Sequence, residues 1–487
     1  MGMASRRRSN NYRKMNRLLK VGTTEVGDLT DDLLELVLLG IDTSVCLVRA
    51  AATCKRWRRL VAGADGAAFL RRFQSLHPPR PIGTFYSINP DRPRSYGQDH
   101  IWPDVDPVFV PSSASASAFD EPSGGPQLSL DFVPGLPAAN RGRRELVDGR
   151  GSLLLLLGEK DRNELPWDMY WWHHADYMTR DLIVCQPLTR QYQVILPPIG
   201  NVCILGAFLL NSDANEAGAT AAAIGMTNFR VLLVHYEHDY SWDDEVNGHG
   251  HPLTSVFTCG GCGYGYGGWQ YGEKDEAGVC LPLFDQVHLA GRTGGRIYWG
   301  CDDKQVVVLD ECTLQFSAMA LSEHMMQWLV FGRDNFRVVG GDHAGTIVRI
   351  VHLTHSGGLL EVFGHRHGDR GNDEWVLEKT VLMAEASRGL LAVEHQEEGY
   401  FDRETRIIDA DEGLVVLSLD NEMFLFSVDL ETMELKREDG RNQSTGAAFP
   451  YTLPWSPVMR ACVDDAGSKR RKRSRKRRRK RPSSEKS

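Results

Sequence analysis

Residues 29–60 read LTDDLLELVLLGIDTSVCLVRAAATCKRWRRL, and this stretch determines how the N-terminal part of the chain is organised. Its apolar residues recur at intervals of three and four, which predicts amphipathic helices. One face of the first helix is formed by Leu33, Leu36, Val37 and Gly40. Thr30 or Asp31 can cap its first turn, because a side-chain oxygen there accepts hydrogen bonds from unpaired backbone N–H groups.

A second helix is predicted to start near Ser44 and to run on through a basic Cys-Lys-x-Trp segment. Its apolar stripe contains Leu47, Ala50, Ala51, Cys54, Trp57, Leu60 and Val61. A third short helix is expected at 67–76. A unit of about 45 residues is small for a self-sufficient core. We therefore expect it to leave apolar surface for a partner or for the rest of the chain.

These residues resemble the F-box, the adaptor-binding module of SCF-type ubiquitin ligases. The family pattern is Leu-Pro, Leu-Leu, Ile-Leu, a second Leu-Pro, Leu, Val-Cys-Lys-x-Trp and Leu. The counterparts here are Leu29-Thr30, Leu33-Leu34, Val37-Leu38, Ile41-Asp42, Leu47, Thr53-Cys54-Lys55-Arg56-Trp57 and Leu60. Thr30 and Asp42 replace the two family prolines, and Thr53 replaces the usual valine. The alternative interpretation is a three-helix N-terminal cap without an adaptor.

The F-box resemblance implies which residues bind a Skp-type adaptor and, through it, a cullin. These adaptor-binding residues are Leu29, Leu33, Leu34, Val37, Leu38, Leu47, Cys54, Trp57 and Leu60. In such a ligase the chemistry is supplied by partners, so the resemblance implies a non-catalytic receptor subunit.

The sequence pattern changes after the proline-rich segment 77–81: short apolar runs separated by turn residues follow. Candidate strands recur about every 8 to 14 residues, which is typical of an all-β architecture. Examples are Leu182–Gln186, Cys203–Leu210, Leu390–His395 and Met433–Lys436. The predicted fold class is therefore multidomain α+β, with a small helical module before a large all-β, propeller-like domain. A β-sandwich or an irregular open β fold is the alternative.

Three stretches within the β region share a strand–turn–strand pattern that is typical of propeller blades. They begin at Asp181, Gly295 and Glu412. The segments Asp181–Pro198, Gly295–Asp310 and Tyr451–Cys462 resemble the C-terminal part of plant F-box proteins of the F-box-associated or kelch-like type. That resemblance implies a β domain that recruits a substrate protein.

Charge is distributed very unevenly along the chain. The net charge is −8, yet residues 469–481 contain twelve Lys or Arg in thirteen positions. Removing those twelve positive charges from the total leaves about −20 for everything else. A flexible basic run of this kind predicts binding to a nuclear import receptor, with non-specific nucleic-acid affinity or a solubilising role as alternatives. The import residues are Lys469, Arg470, Arg471, Lys472, Arg473, Arg475, Lys476, Arg477, Arg478, Arg479, Lys480 and Arg481.

Candidate chemical sites are weak. Cys259 and Cys262 have the spacing of a zinc-thiolate pair, but no trusted second pair accompanies them, so a loop is the preferred interpretation. The aromatic segment 167–172 is interpreted as core rather than as a binding hot spot. No nucleophile elbow, phosphate loop or dinucleotide fingerprint is present in the sequence. We expect no metal, no cofactor and no catalytic residue, and the longest apolar run, 153–157, is too short to span a membrane.

Four segments are predicted: a basic arm (1–24), the F-box module (25–76), a propeller-like substrate-recruiting domain (82–463, with a low-complexity loop at 111–126) and a basic tail (464–487). The predicted function is that of a substrate-receptor subunit of an SCF-type (cullin-RING) E3 ubiquitin ligase, in the nucleus and also in the cytoplasm. Its partners are the adaptor, a cullin through it, an unidentified substrate protein and an import receptor. The alternative is a nuclear nucleic-acid-associated protein that uses its basic tail.

Overall fold

The computed structural model describes two units of the chain, one within 1–80 and 455–487 and the other within 81–454. The described residues are 29–62, 66–77, 80–86, 107–112, 128–134, 144–158, 181–196, 198, 203–211, 224–238, 249–259, 268–272, 278–283, 286–321, 325, 332, 334–341, 347–354, 358–367, 373–388, 390, 405–419, 425–437 and 448–453.

The first unit is helical in its described part. Its helices are α1 (Asp31–Leu39), α2 (Ser44–Thr53), α3 (Lys55–Ala62) and α4 (Gly66–Leu76). Thr30 caps α1, because its hydroxyl accepts from the backbone N–H of Leu33, and Asp31 and Asp32 complement the helix dipole in the first turn. The core of the unit is made by one apolar stripe of each helix and contains Leu34, Leu38, Leu39, Leu47, Ala50, Ala51, Val61, Phe69 and Phe73.

The prediction of one continuous second helix is wrong, because α2 ends at Thr53 and a separate helix, α3, begins at Lys55. The backbone of Cys54 is extended, with φ −150° and ψ 162°. The Thr53 hydroxyl donates to the Ala50 carbonyl at 2.7 Å, and such local side-chain bonds compete with helical backbone bonds. The Cys54 sulfur in turn accepts from the Trp57 N–H at 3.5 Å, in the position of a helix cap for α3.

The second unit is a six-bladed β-propeller in the residues described. Blade 1 has three strands: β1 (Gly83–Tyr86), β2 (Val108–Pro111) and β23 (Ala448–Tyr451). Blade 2 has β3 (Arg144–Arg150), β4 (Leu153–Gly158), β5 (Leu182–Gln186) and β6 (Gln191–Ile195). Blade 3 has β7 (Cys203–Leu210), β8 (Arg230–His238), β9 (Gly250–Thr258) and β10 (Trp269–Tyr271).

The remaining blades repeat the four-stranded antiparallel plan. Blade 4 has β11 (Val287–Thr293), β12 (Arg296–Cys301), β13 (Val306–Asp310) and β14 (Phe316–Met319). Blade 5 has β15 (Phe336–Gly340), β16 (Val348–Leu353), β17 (Leu359–His367) and β18 (Asp373–Leu382), followed by the short helix α5 (Met383–Ala386). Blade 6 has β19 (Thr405–Ala410), β20 (Leu414–Leu419), β21 (Leu425–Asp429) and β22 (Leu435–Arg437).

Neighbouring blades meet through their inner strands, β23, β3, β7, β11, β15 and β19. The approach is close: a Cβ at Gly291 in β11 would lie 1.9 Å from the Val338 carbonyl oxygen of β15, so only glycine fits there. Four of the inner strands, β3, β7, β11 and β19, each carry an irregularity in register. Such bulges bend a strand and increase its twist.

The ring is closed by strands from opposite ends of the unit. β1 pairs on one side with β2 and on the other with β23, which lies more than 360 residues further along the chain. Phe85, Phe109 and Tyr451 pack their rings across this sheet with centroids 5.0 to 6.3 Å apart. Because this sheet joins both ends, opening it would open the whole ring.

The structure confirms the propeller and overturns the sandwich alternative. The three repeated stretches become β5 with β6, β12 with β13, and β20 with β21 and β22. Asp310 and Asp429 close equivalent turns, each accepting hydrogen bonds from two backbone N–H groups that follow it. The strand expected to begin at Met433 begins instead at Leu435, since Met433 has a positive φ of 60° within the turn.

Several predicted features lie outside the described residues. They are the basic arm and basic tail, most of the low-complexity loop, the aromatic segment 167–172, Cys262 and most of the expected strand Leu390–His395. In the described part of the chain, no helix has the length and apolar content that crossing a membrane requires.

Candidate functional site

Helix α1 carries an exposed apolar stripe. Leu33, Leu36 and Val37 leave 51%, 60% and 52% of their surface open to solvent. Leu34 and Leu38 on the same helix are fully buried in the core of the helical unit. With 3.6 residues per turn, the stripe lies on the side of α1 opposite these buried leucines. A contiguous group of large apolar side chains at the surface is characteristic of a protein-interaction site.

The predicted adaptor-binding residues divide into groups with different burial. Leu33, Val37 and Cys54 are exposed, and Leu29, Trp57 and Leu60 are partly exposed. Leu34, Leu38 and Leu47 are fully buried within the helical unit, so in this conformation they build the unit and do not reach its surface.

Leu36 extends the exposed group, although it was not among the predicted adaptor-binding residues. Its place on the same helical face as Leu33 and Val37 was already visible in the sequence spacing. The signal was missed because the family pattern marks Val37 and Leu38 rather than position 36.

Two guanidinium groups hold the opposite side of α1. Arg56 in α3 donates through Nε to the Asp31 carboxylate at 2.8 Å and through Nη2 to the carbonyl of Leu29. Arg72 in α4 donates to the Glu35 carboxylate at 2.7 Å. Asp31 and Glu35 are four residues apart, so they lie on the same flank of the helix. The exposed stripe is thereby left facing away from α3 and α4.

At the centre of the propeller, four charged side chains form one largely buried network. Arg292 of β11 contacts both Glu311 carboxylate oxygens, at 2.8 and 2.9 Å, and one Asp148 oxygen at 2.8 Å. Arg150 contacts Glu311 at 3.2 Å. Both arginines also donate to the Leu209 carbonyl, and Asp148 accepts from the Leu209 N–H at 2.6 Å. The network therefore joins blades 2, 3 and 4.

The protonation states of this network follow from its contacts. Burial acts against the charged form of Arg292, but hydrogen bonds and charges from Glu311 and Asp148 outweigh it and raise the pKa of the guanidinium. Burial alone would raise the pKa of Glu311, but the hydrogen bonds and charges of Arg292 and Arg150 lower it overall. Arg292 and Glu311 are therefore held in their charged forms, and the network ties strands of blades 2, 3 and 4 together.

Asp409 in β19 occupies the position that Asp148 has in β3: each aspartate comes immediately after the irregularity of its strand. Asp409 lies where the ring closes. Its carboxylate accepts from the Ala410 N–H at 3.0 Å and from the Ala448 N–H of β23 at 3.2 Å. Burial raises the pKa of Asp409 to about 6, although these two hydrogen bonds and the charge of Arg337 partly offset the effect. Neither of these inner-strand aspartates was singled out from the sequence.

The cysteines and histidines show no metal-binding arrangement among the residues placed by the structure. Cys259 donates weakly to Gln193 and to the Met226 carbonyl, and burial raises the pKa of its thiol. Burial also raises the pKa of Cys185, to about 12. His352 is buried against Glu361 at 3.1 Å, and desolvation lowers the pKa of its imidazole. Thiols with raised pKa values stay protonated, so they are poor nucleophiles and poor metal ligands.

A comparison with protein-family models matches part of the propeller. Residues 268–459 match the family model "F-box protein AT5G49610-like, beta-propeller". The match covers less than half of the chain, and the matched residues include blades 4, 5 and 6. The helical unit lies outside them. No curated protein matches the sequence.

Several solved structures align with this chain at low sequence identity. The Cps50 (Swd1) β-propeller domain of Myceliophteria thermophila aligns with 62% of this chain and 87% of its own, at 10% identity and a TM-score of 0.28. An exo-β-1,3-galactanase from Phanerochaete chrysosporium aligns with 62% of this chain and 65% of its own, at 8% identity and a TM-score of 0.28. YCF48 bound to D1 peptide aligns with 64% and 71%, at 8% identity and a TM-score of 0.26. Scores this low carry no argument about function.

Proposed function

We propose that this chain is the substrate-receptor subunit of an SCF-type E3 ubiquitin ligase. The observation that carries the proposal is the exposed stripe Leu33, Leu36 and Val37 on α1, within a helical unit that precedes a propeller in the sequence. The match of 268–459 to a propeller model named for an F-box protein supports the same combination. A Skp-type adaptor would cover the stripe, and a cullin would be recruited through that adaptor.

In this role the chain supplies proximity rather than chemistry. The propeller would hold a target protein while a partner enzyme transfers ubiquitin to it. Holding two reactants together makes a bimolecular step effectively intramolecular, which is itself a large contribution to rate. A ring whose blades are joined by paired charges suits this task, because the target needs a fixed surface.

Co-purification of the full chain with a Skp-type adaptor tests the proposal. We expect a stoichiometric complex with the wild type and none with Leu33→Asp/Leu36→Asp, because a buried unpaired carboxylate costs several kcal/mol. Leu76→Asp is the matched control: Leu76 is 61% exposed on α4 and outside the stripe, so this variant should bind normally. A folded wild type that binds no adaptor would contradict the proposal.

The basic tail supports a second, compatible proposal: residues 469–481 direct the protein to the nucleus. Twelve cations within thirteen positions match the acidic surface of an import receptor, and the tail has no aromatic residues for stacking on bases. Replacing its cations with glutamine should shift a fluorescent fusion from nucleus to cytoplasm. If the wild-type fusion stays cytoplasmic while the purified protein binds RNA with a steep salt dependence, the nucleic-acid alternative is favoured instead.

A further inference from the structure

The first turn of α3 breaks a local rule. A helix N-terminus carries a partial positive charge, so cations there are unfavourable. Nevertheless α3 begins with Lys55 and Arg56 and has no acidic residue in its first turn. A sequence that opposes its own helix in this way indicates that a residue serves another element.

The contacts of Arg56 identify that element as the start of α1. One guanidinium edge meets the Asp31 carboxylate at 2.8 Å, and Nη2 donates to the Leu29 carbonyl. Leu29 precedes the cap of α1, and Asp31 is its first residue. A single planar side chain therefore fixes both the entry of the chain into α1 and the first turn of that helix. Lysine cannot do the same, because it presents a point charge rather than a rigid fork.

Helix α1 needs such an attachment. It has only nine residues, and helices of this length are marginal without tertiary support. Its own cap is long, at 3.5 Å between the Leu33 nitrogen and the Thr30 hydroxyl. The buried leucines Leu34 and Leu38 anchor the helix from its fourth residue onward, and Arg56 adds a contact to its first residue.

We propose that Arg56 is a positioning residue for the docking stripe: it sets the direction of the first turn of α1 and thereby the presentation of Leu33 to the adaptor. This inference rests on the proposed function of the stripe. The ion pair is solvent-accessible, with 33% of the Arg56 side chain and 65% of the Asp31 side chain exposed. Exposed pairs contribute little to global stability. Its loss should consequently affect adaptor affinity more than unfolding.

The test measures the dissociation constant of the full chain for a purified Skp-type adaptor by calorimetry, together with the melting temperature. Arg56→Gln should weaken binding about five-fold with the melting temperature nearly unchanged, as expected for a surface pair. Arg59→Gln is the matched control, because Arg59 is an exposed cation on the same helix, and it should bind within about two-fold of wild type. Arg56→Lys should fall between wild type and Arg56→Gln.

A double-mutant cycle separates positioning from direct contact with the adaptor. If Arg56 acts through Asp31, Asp31→Asn should weaken binding on its own, and adding Arg56→Gln should cost less than it does in the wild type. Equal binding of Arg56→Gln and Arg59→Gln, or additive effects in the cycle, would overturn the inference while leaving the docking stripe intact. Failure of the wild type itself to bind would instead overturn the proposed function.

Discussion

The helical unit and the propeller depart in opposite ways from the usual rule that apolar side chains are buried and charged side chains are exposed. The helical unit exposes Leu33, Leu36 and Val37, whereas the propeller buries Asp148, Arg292 and Glu311. Exposed apolar side chains gain nothing from folding, and buried charges cost free energy unless they are paired. Each departure therefore needs its own compensation.

The compensations differ in where they come from. The propeller supplies its own, since every charge in its central network has an opposite partner and the Leu209 backbone completes it. Among the residues of the helical unit that the structure describes, none covers the stripe on α1. The contrast indicates that the charged centre maintains the ring and that the apolar stripe serves an external partner. The predictions below test the two halves of this contrast.

The largest expected effect is on the charged centre. Arg292→Met keeps the length of the side chain but leaves Asp148 and Glu311 buried with too few partners. Removing one member of a buried pair typically costs about 3–5 kcal/mol. Urea unfolding of the propeller should show a loss of this size.

Arg296→Met is the matched control for that experiment. Arg296 lies on the neighbouring strand β12, is 57% exposed and contacts Asp310 at 3.8 Å. Its replacement should cost less than about 1 kcal/mol. Equal losses in the two variants would show that the central network does not stabilise the ring.

A smaller loss of stability should distinguish a buried leucine of α1 from an exposed leucine two positions further along. Leu34→Ala empties a fully buried site and should destabilise the helical unit by about 2–4 kcal/mol. Leu36→Ala removes an exposed side chain and should change its stability by less than about 0.5 kcal/mol. Thermal unfolding followed by far-ultraviolet circular dichroism measures both. The contrast between the stripe and the core fails if Leu36→Ala is as destabilising as Leu34→Ala.

The most gradual expected effect is a pH dependence of the unfolding free energy, which arises at the ring closure. Because the pKa of Asp409 is raised to about 6, the folded protein holds a proton there that the unfolded chain releases near pH 4. Stability from this group is therefore present at low pH and lost as the pH rises through about 6. The difference between a pKa of about 6 and one near 4 corresponds to no more than about 3 kcal/mol across the whole interval.

Asp409→Asn removes this ionisation and should flatten unfolding free energy between about pH 4 and pH 6. Glu311 provides an internal reference, because its lowered pKa gives stability that is lost as the pH falls, and this acid-side loss should persist in the variant. A wild-type profile that rises between pH 4 and pH 6 where the variant is flat would contradict the assignment.

The sequence predicts some strands well for a physical reason. Leu182–Gln186 and Cys203–Leu210 have the same bounds in the prediction and in the structure, because strands buried between blades read as continuous apolar runs. β3 was missed, since RELVDGR contains four charged residues and the irregularity at its centre breaks the alternation. β1 and β23 were missed because the partner that stabilises each lies at the far end of the unit.

The candidate sites likewise divide into one that local sequence spacing predicts and one that depends on long-range contacts. The exposed face of α1 follows from a local period, so the sequence shows Leu33, Leu36 and Val37 directly. The Asp148–Arg292 contact joins residues 144 positions apart, and no local pattern indicates it. The interruption of the helix at Cys54 is intermediate in predictability. It is a local feature, but it depends on whether the Thr53 hydroxyl bonds to solvent or to the Ala50 carbonyl.

The central claim is that the stripe on α1 is the surface an adaptor covers, and oxidative footprinting of the wild-type chain tests it most directly. Side-chain oxidation of Leu33, Leu36, Val37 and Leu76 would be followed by mass spectrometry with and without a purified Skp-type adaptor. The account predicts that the three stripe residues become protected in the complex while Leu76 keeps its reactivity. Adaptor binding without protection of the stripe, or no binding by folded protein, would contradict it.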